Sequence, residues 1–174
     1  ERGAEVELVS GPVSINLNRA NIHITKVESA AQMYAAAVNA FPKTDIAILC
    51  AAVADFTPRE TKDVKIKREK GDMAIQLVPT KDIAAELGRM KKESQFMVGF
   101  ALETNDETNN AINKLKTKKL DFIVLNSLND KGAGFSVDTN KITIISDTSK
   151  YEYSLKPKRE VAKDIIDKIC ELYK

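Results

Sequence analysis

The chain has 174 residues, of which 43% are hydrophobic and 30% are charged, and its formal net charge is +2. These values are typical of a globular protein with one core, and the charge is too small to indicate nucleic-acid or membrane binding by bulk electrostatics. With no apolar run near the ~20 residues needed to cross a bilayer, we predict neither nucleic acid nor a membrane as a partner.

The first part of the chain predicts two strands, a helix and a buried strand. Alternating apolar residues predict strands over 5–10 and 21–27. Ser29 is suited to cap a helix over 30–40. The unbroken apolar run at 45–50 predicts a strand that is buried on both faces, as in a parallel sheet.

The middle of the chain departs from this pattern. The polar, lysine-rich stretch 55–72 predicts a mobile loop or flap within one domain. An alternating strand is predicted over 73–78. Thr80 then predicts the N-cap of a short helix over 81–87, which Gly88 would end.

The remaining elements complete an α/β pattern. They are a strand over 95–102, a helix over 105–119, a strand over 121–125, a hairpin of 141–146 with 150–155, and a helix from Pro157 to Tyr173. The residues of the last helix predicted to face inward are Val161, Ile165, Ile166, Ile169 and Leu172. We therefore predict one domain over 1–174, with a doubly wound, mostly parallel, Rossmann-like sheet followed by a β-hairpin and a helix.

Polar signals follow three of the predicted buried strands, in the segments AAVAD, GFALET and LNSLND. The carboxyl ends of parallel strands meet at one edge of a sheet, so these segments are expected to share a site. The alanines after Cys50 would let a ligand approach the backbone, and Asp55 would supply an acceptor or an ion anchor. Alternatively, the alanines pack under a helix and Asp55 caps a turn; the residues alone favour neither interpretation.

Two pairs of lysines suit an anionic ligand. Lys65 and Lys67 face the same side if their segment is extended, and two such cations suit a triphosphate. Lys114 and Lys118 share a helix face, where an anionic partner would offset their mutual repulsion. The alternatives are a solvated flap for the first pair and a favourable interaction with the helix dipole for the second.

Histidine and cysteine offer little to any catalytic mechanism. Cys50 and Cys170 lie far apart in apolar contexts, which predicts a reducing, cytoplasmic compartment. His23, the single histidine, falls in an alternating segment and is predicted to lie on a strand surface. Lysines, carboxylates, amides and backbone groups must therefore carry any chemistry.

A series of motifs in a fixed order resembles a known family. The motifs are AAVADF, KIKRE, GDMAIQLVPTKDI, VGFALET, IVLN and GAGFSVDTNKITII, with the spacing A-x-x-K-L-x-x-K-x-x-D from Ala111 to Asp121. Together they resemble phosphopantothenoylcysteine synthetase, the CoaB domain of the bacterial bifunctional coenzyme A biosynthesis protein CoaBC. The likeness runs from the first residue to the last, and no single motif carries it.

The resemblance implies a ligase reaction in coenzyme A biosynthesis. The family activates 4'-phosphopantothenate with CTP to give an acyl-cytidylate and pyrophosphate. The amine of L-cysteine then attacks the acyl carbonyl, and CMP leaves. Lysines and Mg²⁺ would neutralise the triphosphate in such a site.

The resemblance also implies a set of site residues. Those expected to contact the nucleotide are Asp55, Lys65, Lys81, Asp82, Ile83, Ala84, Phe100, Lys114, Lys118 and Asn126. Those expected to contact phosphopantothenate are Ala51, Ala52 and Asp55. Lys65 matches the family's flap lysine and is the residue expected to act in catalysis, whereas the family often has proline where Lys81 stands. The residues that would bind Mg²⁺ are not identified from the sequence.

The sequence departs from the family at its beginning. The family's first strand, its glycine-rich phosphate loop with an oxyanion-stabilising asparagine, and its first helix have no counterpart before Glu1. The 174 residues alone are therefore expected to be inactive. A homodimer is expected, with the hairpin at 141–155 as a candidate interface, and FMN would be used only by a fused upstream decarboxylase domain.

Two other classes of protein remain open. A nucleotide-dependent Rossmann oxidoreductase would need a G-x-G-x-x-G turn after its first strand, and the sequence contains no such turn. A non-catalytic nucleotide-binding module would need only the lysines and the polar strand ends.

Overall fold

The computed structural model describes residues 2–14, 19–67, 72–103, 105–127 and 137–173. The chain forms two compact units. Unit 1 comprises Glu1–Ala40 and Ala51–Ile83, and unit 2 comprises Phe41–Cys50 and Ala84–Lys174.

The elements follow the chain in a mixed α/β order. The strands are β1 (Val6–Ser10), β2 (Ile22–Lys26), β3 (Ile46–Leu49), β4 (Phe56–Pro58), β5 (Leu77–Pro79), β6 (Phe96–Glu103), β7 (Phe122–Ser127), β8 (Thr139–Asn140), β9 (Ile142–Ser146), β10 (Lys150–Glu152) and β11 (Lys156–Pro157). The helices are α1 (Ala30–Ala40), α2 (Ile83–Met90), α3 (Glu107–Thr117) and α4 (Lys158–Leu172), with a 3₁₀ turn at Phe41–Lys43.

Unit 2 is built on a five-stranded sheet with the order β10-β9-β7-β6-β3. β3, β6 and β7 are parallel, whereas β9 and β10 add an antiparallel hairpin beside β7. The predicted α/β class, with parallel central strands and a C-terminal hairpin and helix, is confirmed. The small antiparallel pair of β8 and β11 was not predicted.

The main core of unit 2 lies between the sheet and α4. Alternate residues of β6, β7 and β9 face the inner stripe of α4, and the cluster consists of Phe96, Val98, Phe122, Val124, Ile142, Ile144, Val161, Ile165 and Ile169. Burying each side chain of this size contributes about 1.5–3 kcal/mol. Leu172, predicted to face inward, is 39% exposed. The ring of Tyr173 instead contacts the ring of Phe96 at the end of the helix.

Unit 1 contains two separate two-stranded sheets. β1 and β2 are parallel, and α1 packs on β1. His23 lies exposed on β2, as predicted. The start of α1 is a capping box: Ser29 Oγ accepts from the N–H of Gln32, while Gln32 Oε1 accepts from the N–H groups of Ser29 and Glu28.

The prediction that the strand at 45–50 is buried on both faces is wrong. Ile46 is 36% exposed and Ile48 is 40% exposed. Within the described ranges, β3 pairs with β6 alone, so it is an edge strand of its sheet. An unbroken apolar run predicts a buried strand only when both neighbours of that strand are present.

The predictions for the chain around Thr80 are also corrected. Thr80 does not cap a helix: its hydroxyl donates to the carbonyl of Ala54 at 2.7 Å, and its N–H donates to that of Asp55 at 2.9 Å. These bonds extend the antiparallel pair of β4 and β5. Of the predicted strand 73–78, only the last two residues belong to an observed strand, β5. The predicted loop 55–72 contains the strand β4.

Gly88 does not end α2, which continues to Met90. A Cβ atom at Gly88 would clash with the backbone carbonyl of Lys118, at the end of α3. The glycine therefore permits a close approach of two helices rather than a helix stop.

Candidate functional site

The parallel strands of unit 2 end at one edge of the sheet, where the described residues of two predicted polar signals, GFALET and LNSLND, lie. β3, β6 and β7 end at Leu49, Glu103 and Ser127, and their carboxyl ends point the same way. In open α/β sheets this is the edge at which ligands bind. The predicted site residues in unit 2 are Ala84, Phe100, Lys114, Lys118 and Asn126.

Phe100 and Asn126 share the face of the sheet that α4 covers. Phe100 packs, half-buried, against the core cluster. The Oδ1 atom of Asn126 accepts a hydrogen bond from Nδ2 of Asn140 at 2.8 Å. Asn140 Oδ1 in turn accepts from the N–H of Lys141 at 3.1 Å, which fixes the orientation of both amides. The amide nitrogen of Asn126 is thereby left to donate to another group.

Lys114 belongs to the opposite face. Its Nζ lies 2.6 Å from Oε1 of Glu103, three residues after Phe100 on β6. Because side chains alternate along a strand, Glu103 and Phe100 point to opposite faces. The structure therefore does not gather the predicted contacts of unit 2 on one side of the sheet.

Lys118 is the C-cap residue of α3, and its N–H donates to the carbonyl of Lys114 at 3.0 Å. Lys118 is half-buried. It lies one helical turn, or about 6 Å, beyond Lys114, away from the first turn of α3 that follows β6. Of the two lysines, Lys114 is therefore the one nearer the carboxyl edge.

The predicted residues of unit 1 lie on two adjacent segments. The two hydrogen bonds from Thr80 hold Ala54 and Asp55 beside it, so Asp55 lies close to the start of the segment that contains Lys81. Ala51, Ala52 and the side chain of Asp55 are exposed. Lys81 places its Nζ 4.6 Å from the centre of the Tyr34 ring, a cation–π contact that anchors this lysine to α1.

Lys65 is exposed and lies in a segment without regular secondary structure. The structure describes this segment as far as Lys67. Part of the KIKRE motif, Arg68 and Glu69, lies outside the described residues. So do the ends of two other motifs, at 128–130 and 132–136. The assignment of Lys65 stays a prediction.

Cys50 follows the last residue of β3 and precedes Ala51 and Ala52. Both cysteines are free thiols. Although Cys50 is exposed as a residue, partial burial of its sulfur raises the pKa of the thiol above its ordinary value. The thiol is therefore protonated at neutral pH, which makes Cys50 a weak nucleophile.

A cavity of about 460 Å³ opens between the first turn of α3 and the strands β7, β9 and β10. It lies on the α3 face, where Ser127 Oγ donates to Glu107 Oε1 at 2.6 Å. No predicted site residue lines it. Glu103 and Asn140, the partners of Lys114 and Asn126, were also missed, although both fall inside quoted motifs.

The described residues show neither a metal-binding cluster nor a membrane-spanning helix. They contain no group of three or more His, Cys, Asp or Glu side chains that could hold a metal ion. They also contain no helix that is long and apolar enough to cross a membrane.

Residues 1–173 match the family of DNA/pantothenate metabolism flavoprotein C-terminal domains. The chain is 59% identical over 171 residues to a cysteine/cysteine sulfinic acid decarboxylase from an unidentified prokaryote, covering 98% of this chain and 48% of that protein. It is 44% identical over 173 residues to the coenzyme A biosynthesis bifunctional protein CoaBC of Bacillus subtilis, covering 99% of this chain and 42% of that protein. The chain thus spans less than half the length of these relatives.

A solved structure extends the likeness to the fold. The crystal structure of the C-terminal domain of CoaBC superposes with a TM-score of 0.78 at 34% identity, covering 96% of this chain and 74% of that one. The chain therefore belongs to the family of DNA/pantothenate metabolism flavoprotein C-terminal domains, together with the C-terminal domain of CoaBC.

Proposed function

We propose that this chain is the ligase domain that joins 4'-phosphopantothenate to L-cysteine, with CTP as the activating nucleotide. The observation that supports this proposal most is the match in both sequence and fold to the C-terminal domain of CoaBC. The two compact units would act as one catalytic domain over 1–174, in the cytoplasm.

The proposed reaction has two steps. The carboxylate of phosphopantothenate attacks the α-phosphorus of CTP, which expels pyrophosphate and leaves an acyl-cytidylate. The amine of cysteine then attacks the acyl carbon, so that an amide forms, CMP leaves and the amine loses its proton. A carboxylate is already a nucleophile, so the first step needs positioning and charge neutralisation rather than a base.

The residues present suit that requirement. Lys65 is exposed, and 43% of the Lys114 side chain is exposed, so both ammonium groups are accessible to phosphate oxygens. When bound, Mg²⁺ would neutralise charge on the triphosphate. Mg²⁺ is commonly held by substrate phosphates together with one or two carboxylates, and therefore does not need a cluster of three or more protein ligands. The described residues contain no such cluster. Asp55, an exposed carboxylate of the predicted site, would help the substrate phosphates to bind Mg²⁺.

The relative from the unidentified prokaryote is named a decarboxylase. We assign that activity to the half of that protein which this chain does not cover. In a fused protein of this kind, FMN would serve the decarboxylase domain and not the ligase.

The test is a reconstituted assay of the complete protein that contains this chain. With CTP, Mg²⁺, phosphopantothenate and cysteine, we expect pyrophosphate, CMP and phosphopantothenoylcysteine, identified by mass spectrometry, and less product with ATP. Absence of the amide product from the complete protein would contradict the proposal, and thermal stabilisation by NAD instead of CTP would favour an oxidoreductase.

We also propose that the protein is a homodimer. The described residues of the range 56–77 expose six large apolar side chains, each between 54% and 74% accessible: Phe56, Val64, Ile66, Met73, Ile75 and Leu77. Exposed apolar side chains concentrated on one segment are typical of an interaction surface, and we propose that this segment meets its counterpart in a second copy across a two-fold axis. The hairpin at 141–155 is the weaker candidate, since the exposed ring of Tyr151 is already occupied by Nζ of Lys168 at 3.7 Å.

Replacing Ile75 and Leu77 together with glutamate is expected to convert the dimer to a monomer, because charges would enter an apolar contact. Size-exclusion chromatography with light scattering measures the mass. Leu155→Glu, at a 47% exposed hairpin position, is the matched control and should leave the dimer intact. A monomeric parent protein, or dissociation by the control alone, would overturn the assignment.

A further inference from the structure

Glu103 occupies a defined position beside Lys114. It is the last residue of β6, at the carboxyl edge of the sheet, and its side chain points to the face that α3 covers. The Lys114 ammonium reaches it from two turns inside α3, at 2.6 Å. The Glu103 side chain is 15% exposed and that of Lys114 is 43% exposed. The carboxylate is thus enclosed, while the ammonium still faces solvent.

Asn110 fixes the second oxygen of the same carboxylate. Its Nδ2 lies 3.4 Å from Oε2 of Glu103 and also donates to the carbonyl of Asn105 at 2.9 Å. Asn110 and Lys114 are four residues apart and share one face of α3. Glu103 is therefore held from one side by two groups of a single helix face.

The geometry leaves Lys114 able to bind an anion. A lysine ammonium has three donors and no acceptor. The bond to Glu103 uses one donor, and because 43% of the Lys114 side chain is exposed, the other two donors are accessible to a ligand. A lysine held in this way has already lost the rotational freedom that an unanchored side chain gives up when it binds a ligand.

We infer that Glu103 is a positioning residue that holds Lys114 for the phosphate oxygens of the activating nucleotide. This inference rests on the proposed function. Glu103 does not touch the nucleotide itself; its carboxylate orients the ammonium, and Asn110 orients the carboxylate. The competing interpretation is an ion pair that only ties β6 to α3.

Steady-state kinetics of the complete protein separates the two roles. Glu103→Gln keeps the shape and removes the charge, and it should raise the KM for CTP about tenfold with kcat within about twofold. The KM values for cysteine and phosphopantothenate should not change. Glu103→Asp, which keeps the charge, should restore much of the affinity. A merely structural ion pair would lower thermal stability without acting selectively on CTP.

A double-mutant cycle assigns the effect to Lys114. In a Lys114→Ala background, Glu103→Gln should change the KM for CTP by less than about twofold. Glu160→Gln removes an exposed ion pair with Lys163 on α4 and serves as the control, with unchanged kinetics. An unchanged KM in Glu103→Gln, or the same increase without Lys114, would overturn the inference.

A labelling experiment keeps this result separate from a failure of the proposed function. Acetic anhydride labelling of Lys114, read by mass spectrometry, requires no turnover. Inorganic tripolyphosphate and CTP should each protect Lys114 in the parent protein and protect it less in Glu103→Gln. Equal protection in both proteins would refute the positioning role, whereas protection by tripolyphosphate without any CTP-dependent turnover would refute only the proposed ligase.

Discussion

Replacing Lys65 with alanine in the complete protein is expected to lower kcat/KM for CTP-dependent pyrophosphate release by about 100-fold or more. In other enzymes, removing one hydrogen-bond donor that stabilises an anionic transition state has an effect of this size. The lysine would neutralise charge that develops on the transferred phosphoryl group. Pyrophosphate release with CTP and phosphopantothenate, in the absence of cysteine, isolates this first step.

The fold should not change in this variant. Lys65 is exposed and lies outside the helices and strands, so its truncation should alter the free energy of unfolding by no more than about 0.5 kcal/mol. A loss of activity with an unchanged Tm then reflects chemistry and not unfolding.

Two neighbouring lysines act as internal references. Lys62 is exposed in the same segment, and Lys62→Ala should leave the rate within about twofold. Lys67 lies on the same side as Lys65 if the segment is extended, so Lys67→Ala should give an intermediate loss. Parent-level pyrophosphate release from Lys65→Ala, or equal losses in all three variants, would refute the role given to Lys65.

Local patterns predicted the elements whose signals are complete within a few residues. Ser29, as a candidate N-cap, placed the start of α1, and the apolar runs placed β6 and β7 within one or two residues. The signals for these elements, a cap residue and unbroken apolar runs, lie within or next to the elements themselves. Short-range sequence therefore contains enough to define them.

Features that depend on distant partners were not predictable in this way. Thr80 has the residue type of an N-cap, yet the carbonyl of Ala54 competes for its hydroxyl. Phe100 and Lys114 were both assigned to the nucleotide, but alternation along β6 sends Phe100 and the partner of Lys114 to opposite faces. The sequence motif contains Glu103, but only the packing of α3 on β6 shows which lysine it meets.

Gly88→Ala is expected to destabilise the protein, although the substitution improves helix propensity. Alanine in a helix interior is favoured over glycine by about 1 kcal/mol. At this position, however, the added Cβ would meet the backbone carbonyl of Lys118. A backbone atom cannot rotate away as a side chain can, so α2 and the end of α3 must separate. Overpacking of this kind costs about 1–3 kcal/mol, which should outweigh the gain in propensity.

The end of α3 has little room to accommodate that shift. Lys119 adopts a left-handed conformation with φ 51°, and the N–H of Leu120 donates to the carbonyl of Leu115 at 2.9 Å. Leu115 and Leu120 are both buried. Moving the carbonyl of Lys118 would therefore disturb the bonds that close the helix and the apolar contacts beneath them.

The expected readouts are a lower thermal midpoint and faster hydrogen–deuterium exchange in two regions of the complete protein, residues 83–90 and 115–121. Gly11→Ala is the matched control, because a Cβ there meets nothing closer than Cε of Met33 at 3.9 Å. That variant should stay within about 0.5 kcal/mol of the parent protein. A Gly88→Ala protein as stable as the parent, with unchanged exchange in both regions, would mean that propensity outweighs the clash and that α2 and α3 do not approach as closely as the structure places them.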